Sequence, residues 1–394
     1  MKIAVTGLGL MSAAGQNETV TLDNFNAGQR HAGPVSLFPS EIQAPVFEVK
    51  NFARNYFPAR LRTLNLCLAA LEEALQNAGL EKALRGKRIG VAMGTTIGSI
   101  LNDFEFYRKY HEKGSAPMDA VNAYLQGNLA SAIHAFLGTD GPSMTVVNAC
   151  ASSTDAIGIA MSWMKSGLCD IALAGGADEM SRIPLCGFNS LGILSRTLSA
   201  PFDRDRNGLN LGEGAAVLVL ENEDSVQKRG ATTRALIRGY GTCNDAYHLT
   251  SPDPQGAGLI NAITRALGEA ELPPPEITFI NAHGTGTQDN DAVEGLVLSR
   301  LFGPKIKFLS TKGYTGHTLG AAGGLEACFS ILALENGWIP ASAGFQNQDA
   351  GIPLAPVRER TTIQGRFALS TSLGFGGCNA ALLIERPKKT GLGL

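Results

Sequence analysis

The sequence predicts a layered α/β fold, with helices packed around mixed β-sheet. Three observations predict it. Short apolar, strand-like segments alternate with longer helical ones along the 394 residues. Glycine is abundant, at 47 residues, and much of it falls in strand–turn–helix contexts that suit close packing of layers. Two stretches also resemble each other: Gly214-Ala215-Ala216-Val217-Leu218-Val219-Leu220-Glu221 and Cys378-Asn379-Ala380-Ala381-Leu382-Leu383-Ile384-Glu385. Each follows a Gly-rich turn, Gly212-Glu213-Gly214 or Gly374-Phe375-Gly376-Gly377, and each would close one half of the chain. Two similar halves are therefore expected, 1–230 and 231–394, with convergence of two common strand patterns as the competing explanation.

In chain order, the first strand is expected at 3–6, running into a Gly turn at Gly7 and Gly9. A helix follows at 61–78 and a strand at 88–93. A helix is expected at 121–137. The run Met144-Thr145-Val146-Val147 reads as a buried strand, 143–147, followed by a small-residue helix, 152–165. Strands at 171–174 and 215–221 complete the first half. The charged segment 221–229 separates it from a second set of strands at 234–240, 277–282, 306–310, 366–372 and 380–385. Helices at 258–270, 291–301 and 319–336 alternate with these.

Composition narrows the function. Hydrophobic residues make up 44% and charged residues 17%, so little of the chain reads as disordered. A net charge of −2 argues against broad nucleic-acid binding. No apolar stretch approaches transmembrane length. The N-terminal Met1-Lys2-Ile3-Ala4-Val5 is interrupted early by Gly7, Gly9, Asn17 and Glu18, which favours a core strand over a signal peptide. Seven scattered Cys, without CxxC or zinc spacing, point to free thiols in a reducing compartment, and a cytoplasmic protein is expected. Gly7-Leu8-Gly9 lacks the third Gly of a dinucleotide fingerprint, because residue 12 is Ser, and there is no Walker loop.

Chemistry concentrates in four places. Cys150 sits at the strand-to-helix junction, where the positive end of a helix dipole would lower its pKa and favour the thiolate. His283 lies in Asn281-Ala282-His283-Gly284-Thr285-Gly286-Thr287, at the end of an apolar strand before a Gly/Thr loop that offers N–H groups and hydroxyls to a polar ligand. His317 lies at a helix start in Ser310-Thr311-Lys312-Gly313-Tyr314-Thr315-Gly316-His317-Thr318-Leu319-Gly320, where the dipole keeps imidazole neutral. Lys312 is either solvated or sets the charge state of the two His. The fourth place is the loop at Gly374-Phe375-Gly376-Gly377. His31, His111 and His134 lack such settings and read as structural, while His248 is ambiguous.

The ordered set resembles the β-ketoacyl-[acyl-carrier-protein] synthases of the elongating, type II kind. The likeness runs from Val5-Thr6-Gly7-Leu8-Gly9 through Asn148-Ala149-Cys150-Ala151-Ser152-Ser153, Ala174-Gly175-Gly176-Ala177-Asp178 and Pro201-Phe202-Asp203-Arg204-Asp205-Arg206-Asn207-Gly208 to both His motifs and the final Gly-Phe-Gly-Gly. It implies the thiolase fold: duplicated halves in a five-layer α-β-α-β-α arrangement, usually dimeric. It implies that Cys150 carries an acyl group, that His283 and His317 stabilise an enolate formed by decarboxylation of malonyl carrier, and that the N–H groups of Cys150 and Phe375 hold an oxyanion. No cofactor is implied, since the phosphopantetheine arm arrives on the acyl carrier protein. By the same resemblance, Lys312 and Glu326 form a pair near the second His, and Thr285 and Thr287 contact the phosphopantetheine arm. Ile97 and Phe375 act as gates, and Arg60 and Arg62 belong to a basic patch that meets the carrier.

Departures from the family concern the acyl pocket. Leu373 stands where many relatives have Phe, Cys378 where Thr is usual, and Ala120 where a bulky pocket residue is frequent. They leave the pathway open between fatty-acid synthesis and a polyketide or aryl-polyene system, and the partner open between a second copy and a chain-length subunit. Rival readings are a CoA-dependent thiolase, with Cys378 as its base, a non-catalytic chain-length subunit, and a pure binding module.

Overall fold

The computed structural model describes residues 2–56, 61–81, 84 and 86–388. Its strands are β1 (Ile3–Ser12), β2 (Ile89–Gly94), β3 (Ser143–Val146), β4 (Ile171–Asp178), β5 (Gly214–Asn222), β6 (Ala235–Asn244), β7 (Ile277–Asn281), β8 (Lys307–Leu309), β9 (Trp338–Ile339), β10 (Thr361–Thr362), β11 (Phe367–Gly374) and β12 (Cys378–Glu385). The helices are α1 (Glu18–Ala27), α2 (Arg62–Ala78), α3 (Phe104–Lys113), α4 (Asp119–Gln126), α5 (Leu129–Leu137), α6 (Ser152–Lys165), α7 (Arg182–Ser190), α8 (Glu223–Arg229), α9 (Ala257–Glu269), α10 (Gln288–Phe302), α11 (Lys312–Thr315) and α12 (Ala322–Asn336).

Ten strands form one sheet in the order β3-β2-β4-β5-β1-β6-β12-β11-β7-β8. Read outward from the β1–β6 seam, the two sides follow one pattern. β2 is parallel to β3 and β4, and β7 is parallel to β8 and β11. β5 is antiparallel to β4 and β1, and β12 is antiparallel to β11 and β6. The seam itself is a short antiparallel pairing of Ile3–Val5 with Ala235–Ile237.

Side-chain alternation builds the layers. In β5, Leu218 and Leu220 face one core while Val217 and Val219 face another; in β12, Leu382 and Ile384 alternate with Ala381 and Leu383 in the same way. Strands buried on both faces read as unbroken apolar runs, which is why the two stretches looked alike. Between the sheet halves lie α6 and α12, whose Ile157, Met161, Leu325 and Phe329 share a core with Leu218 and Leu382. α2 and α5 cover the outer face of the first half, with Leu64, Leu68 and Ile133 against Val91 and Val217. α9 and α10 cover the second, with Leu259, Ile263 and Val297 against Ile280 and Leu383. The result is the five-layer α-β-α-β-α arrangement of the thiolase fold.

Three local expectations are corrected. The Gly turn after the first strand is absent: β1 runs on to Ser12, and Gly7 and Gly9 sit inside it. A Cβ there would fall 2.1 Å from the Ala74 carbonyl oxygen or 2.0 Å from that of Ala70, so these glycines let α2 lie directly on the strand. The segment before Cys150 is the outer strand of the sheet and not a buried one; Met144 and Val147 are 44% and 68% exposed. The helix expected at 121–137 is two helices, divided at Gly127 and Asn128, where the Asn128 side chain caps α5 by accepting the Ser131 N–H.

Among the described residues, all seven Cys are free thiols, and no helix is long and apolar enough to cross a membrane.

Candidate active site

The site forms where the carboxyl ends of β4, β7 and β11 approach the start of α6. Cys150 occupies a tight elbow between β3 and α6. The preceding Ala149 has φ +47°, a left-handed conformation unusual for a residue with a Cβ. Its carbonyl is held there by the hydroxyls of Ser152 (2.6 Å) and Thr96 (3.1 Å), and Ser152 also accepts the Asn148 N–H at 2.8 Å. Opposite the elbow, β11 and β12 are joined by a three-residue turn carrying Phe375. A Cβ on Gly374 would lie 3.1 Å from the Cys150 nitrogen, so the hairpin rests on the backbone of Cys150. It is a tight hairpin turn, with Gly376 and Gly377 at φ +83° and +77°. Phe375 stacks on Phe188 with ring centroids 5.5 Å apart.

His283 and His317 arrive from the second half of the chain. The Cys150 sulfur and one ring nitrogen of each His all lie within 4.8 Å of one another. The rings meet edge to face, with centroids 5.1 Å apart. Hydrogen bonding fixes their tautomers. The Leu319 N–H donates to His317 Nδ1 at 3.1 Å, and Lys312 Nζ donates to His283 Nδ1 at 3.0 Å. With each Nδ1 occupied as an acceptor, the proton of each neutral ring resides on Nε2. Both imidazoles are held neutral: burial, followed by the Lys312 charge, drives their pKa values well below the ordinary 6.5. The site thus offers two N–H donors beside one thiol.

Lys312 is buried, at 2% exposure, which settles its two readings against solvation. It forms a short ion pair with Glu326 and donates to the His283 carbonyl at 2.7 Å. Burial pushes the Glu326 carboxyl up to about 7, with Lys312 opposing.

The pKa expectation for Cys150 is overturned. Burial pushes the thiol from 9 up to about 12; Lys312 pulls it down, while Asp178 and Glu326 push it further up. That rise corresponds to about 4 kcal/mol against the thiolate. A helix N-terminus supplies about 0.3–1 kcal/mol, up to about 2 in favourable geometry, so desolvation wins. The Cys150 side chain therefore rests as the thiol.

Three buried carboxylates that scaffold the site were not singled out from the sequence. Asp178, at the end of β4, accepts from Thr95 Oγ1 (2.6 Å) and from the N–H groups of Thr96 (2.8 Å), Ile97 (3.1 Å) and Gly320 (2.7 Å), tying the two halves together beneath Cys150. Glu294 accepts the N–H groups of His283 and Gly284, both at 2.8 Å, and Asp291 those of Thr285 (3.0 Å), Gly286 and Phe202. The signal for the last two was their i,i+3 spacing on α10 beside a glycine-rich loop, which turns two carboxylates toward its unpaired N–H groups.

A cavity of about 380 Å³ opens above the trio and is lined by Cys150, His283, His317, Thr285, Thr287, Leu373, Phe375 and Cys378 among others. Thr285 and Thr287 hydroxyls bond each other at 2.8 Å on its wall. Ile97 and Ala120 are not among the lining residues: Ile97 packs against the apolar cluster that contains Met180, Leu209 and Leu319, and Ala120 is half-buried on α4. Glu326 stands behind Lys312. Arg62 is not a carrier contact, because its guanidinium is mostly buried and holds both oxygens of Glu213, at 2.8 and 2.5 Å. Arg60 lies outside the described residues.

A thiol flanked by two neutral imidazole donors on a duplicated five-layer α/β frame defines a condensing acyltransferase. The chain belongs to the β-ketoacyl synthase family: residues 1–225 match the model of its N-terminal domain and 234–346 that of its C-terminal domain. It is 32% identical to the 3-oxoacyl-[acyl-carrier-protein] synthase 2 of Staphylococcus aureus, over 98% of each chain. It is 31% identical to the tetracenomycin polyketide synthase ketoacyl synthase alpha subunit of Streptomyces glaucescens, over 99% of this chain and 98% of that one. Among solved structures, the ishigamide ketosynthase/chain length factor superposes with a TM-score of 0.92 at 31% identity, over 98% of this chain and 99% of that chain. The ketosynthase ApeO, in complex with its chain length factor ApeC from Xenorhabdus doucetiae, superposes at 0.87 and 32% identity over 98% of both.

Proposed function

We propose that this protein is an elongating 3-oxoacyl-[acyl-carrier-protein] synthase in which Cys150 carries the growing chain. The observation that carries the reading is the meeting of the Cys150 sulfur and two imidazole nitrogens within 4.8 Å on the floor of one cavity. The Cys150 thiol attacks the thioester of an acyl carrier protein, and the acyl group moves to the sulfur as the carrier thiol leaves with the proton. Exchange of one thioester for another is nearly balanced, so the acyl group stays activated. Malonyl carrier follows, with its arm against Thr285 and Thr287. As its C–CO2 bond breaks, the electron pair moves onto the thioester oxygen, where the Nε2–H groups of His283 and His317 stabilise the enolate. The enolate carbon then attacks the acyl carbonyl, the C–S bond to Cys150 breaks, the departing thiolate takes a proton from solvent to return to the thiol, and the 3-oxoacyl carrier departs.

In this scheme the oxyanion of each tetrahedral intermediate is held by the N–H groups of Cys150 and Phe375. Lys312 and Glu326 keep His283 in its donor tautomer. Phe375 and Leu373, which line the cavity, are assigned to admission and accommodation of the chain. The half at 1–230 contributes the nucleophile and the half at 231–394 the enolate donors. The chain needs no cofactor of its own and works in the cytoplasm.

The partner subunit is assigned to the outer strand β3, where Met144 within the strand and Val147 just after it are exposed. A chain-length subunit or a second copy would both pair there. Cys378 does not support the thiolase alternative: its thiol is engaged as a donor to Asn148 Oδ1 at 2.7 Å and is not presented as a base.

The test is intact-mass spectrometry after incubation with an acyl carrier thioester, then with malonyl carrier. An adduct on Cys150 that disappears with release of CO2 and formation of 3-oxoacyl carrier is expected. Absence of any adduct on the wild-type chain would overturn the reading.

A further inference from the structure

A chain of hydrogen bonds beside the nucleophile has no part in the scheme above. Tyr240 of β6 donates its hydroxyl to Asp155 Oδ1 at 2.7 Å. Asn148 Nδ2 donates to the other oxygen of Asp155 at 2.5 Å, and Asn148 Oδ1 accepts the thiol of Cys378 at 2.7 Å. Each donor and acceptor in the series is fixed by chemistry. An ionised carboxylate only accepts, so Asn148 must turn its NH2 to Asp155 and its oxygen to Cys378. Asp155 is 6% exposed, and Cys378 lines the active-site cavity.

The placement matters more than the chain itself. Asn148 is two residues before Cys150, at the entrance of the strained elbow, and its carbonyl accepts the Ala151 N–H at 3.1 Å. Cys378 pairs with Gly374 across the hairpin that presents Phe375. The Cys378–Asn148 bond is therefore a side-chain link between the two backbone segments whose N–H groups would hold the oxyanion. Its ends come from different halves of the chain, and the Asp155–Tyr240 bond braces it from behind.

We propose that Asn148 and Cys378 are a positioning pair that sets the separation of the two oxyanion-hole segments. This rests on the reading of Cys150 as the acyl acceptor. The pair acts on the steps that pass through a tetrahedral intermediate at the acyl carbonyl. Decarboxylation of malonyl carrier relies on His283 and His317, which Lys312, Glu294 and Leu319 hold independently of this link. A hydroxyl at 378 can still donate to Asn148, whereas a methyl group cannot.

The experiment compares two rates on the purified protein: single-turnover acyl transfer to Cys150 by rapid quench and intact mass, and release of labelled CO2 from malonyl carrier. The ratio of the first to the second should fall about tenfold in Cys378→Ala and return to within about threefold of wild type in Cys378→Ser, one hydrogen bond being worth roughly this much. Asn148→Ala cuts the same link from the other side and should give the same fall. The double variant should lose no more than either single one. An unchanged ratio in both alanine variants, a parallel fall of both rates, or full additivity in the double variant would each overturn the pairing. Loss of the wild-type adduct would instead remove the reading on which it rests.

Discussion

Lys312→Met removes one buried cation and leaves a side chain of similar length. In the structure, Lys312 Nζ touches Glu326, the His283 carbonyl and His283 Nδ1. Two effects follow. With no donor facing Nδ1, His283 is no longer fixed as an Nε2–H donor. Loss of one preorganised donor is worth about 3 kcal/mol, so release of CO2 from malonyl carrier should fall about 100-fold. Glu326 is also left without its counter-charge. Removing one partner of a buried pair costs roughly 3–5 kcal/mol while the other stays ionised. Lys312 lowers the Glu326 pKa, so its removal raises that value further above about 7. At pH 5.5 the carboxyl is protonated in either protein, and the loss of stability should be small. At pH 8 the wild-type carboxylate is ionised beside its lysine while the variant must keep a proton on it, so the variant's loss of stability should exceed that at pH 5.5 by about 1 kcal/mol. Urea denaturation at the two pH values, with the CO2 assay, measures both effects. Decarboxylation within twofold of wild type would refute the tautomer argument, and equal stability losses at both pH values would refute the charge argument.

Other substitutions probe the site in different ways. His317→Ala should reduce CO2 release by about two orders of magnitude while acyl transfer to Cys150 still occurs, which a single-turnover adduct assay separates from turnover. Glu294→Gln replaces an acceptor of the His283 or Gly284 N–H by a donor and should cost about 2 kcal/mol in denaturant stability; a change under about 0.5 kcal/mol would contradict its scaffold role. Between pH 4.5 and 7 the folded state keeps a proton on Glu326 that the unfolded chain has released, so this group's stability contribution falls as pH rises, by about 3 kcal/mol across the window. Glu326→Gln should abolish that dependence. Asp178, raised from 3.8 to about 6, acts with the same sign over that lower window, and Asp178→Asn should flatten it.

Cys150, His283 and His317 were legible because each sits in a local pattern of strand end, glycine and small polar residue, and their order along the chain is specific. The duplicated architecture was legible in one matched strand pair, β5 and β12, because strands buried on both faces must be apolar at every position. Asp178, Glu294 and Asp291 were not singled out, since a buried carboxylate looks like a surface one until the N–H groups it receives are known. Arg62 was misjudged for the converse reason: a lone arginine looks solvated until its partner, Glu213, arrives from 151 residues away. Gly7 and Gly9 looked like a turn, although the space they leave is filled by α2.

By itself, the sequence determined the chemical inventory: one thiol at a helix start, two imidazoles beside glycine loops, a lysine, and the alternation that makes a layered fold. Those properties are written in local residue order. Only the tertiary structure decided that the thiol and imidazoles meet, that both rings present Nε2–H, and that Cys150 rests as a thiol despite its helix. Convergence and desolvation depend on groups brought from the other half of the chain, and the His283 tautomer on Lys312, 29 residues away, so local pattern carries no record of them.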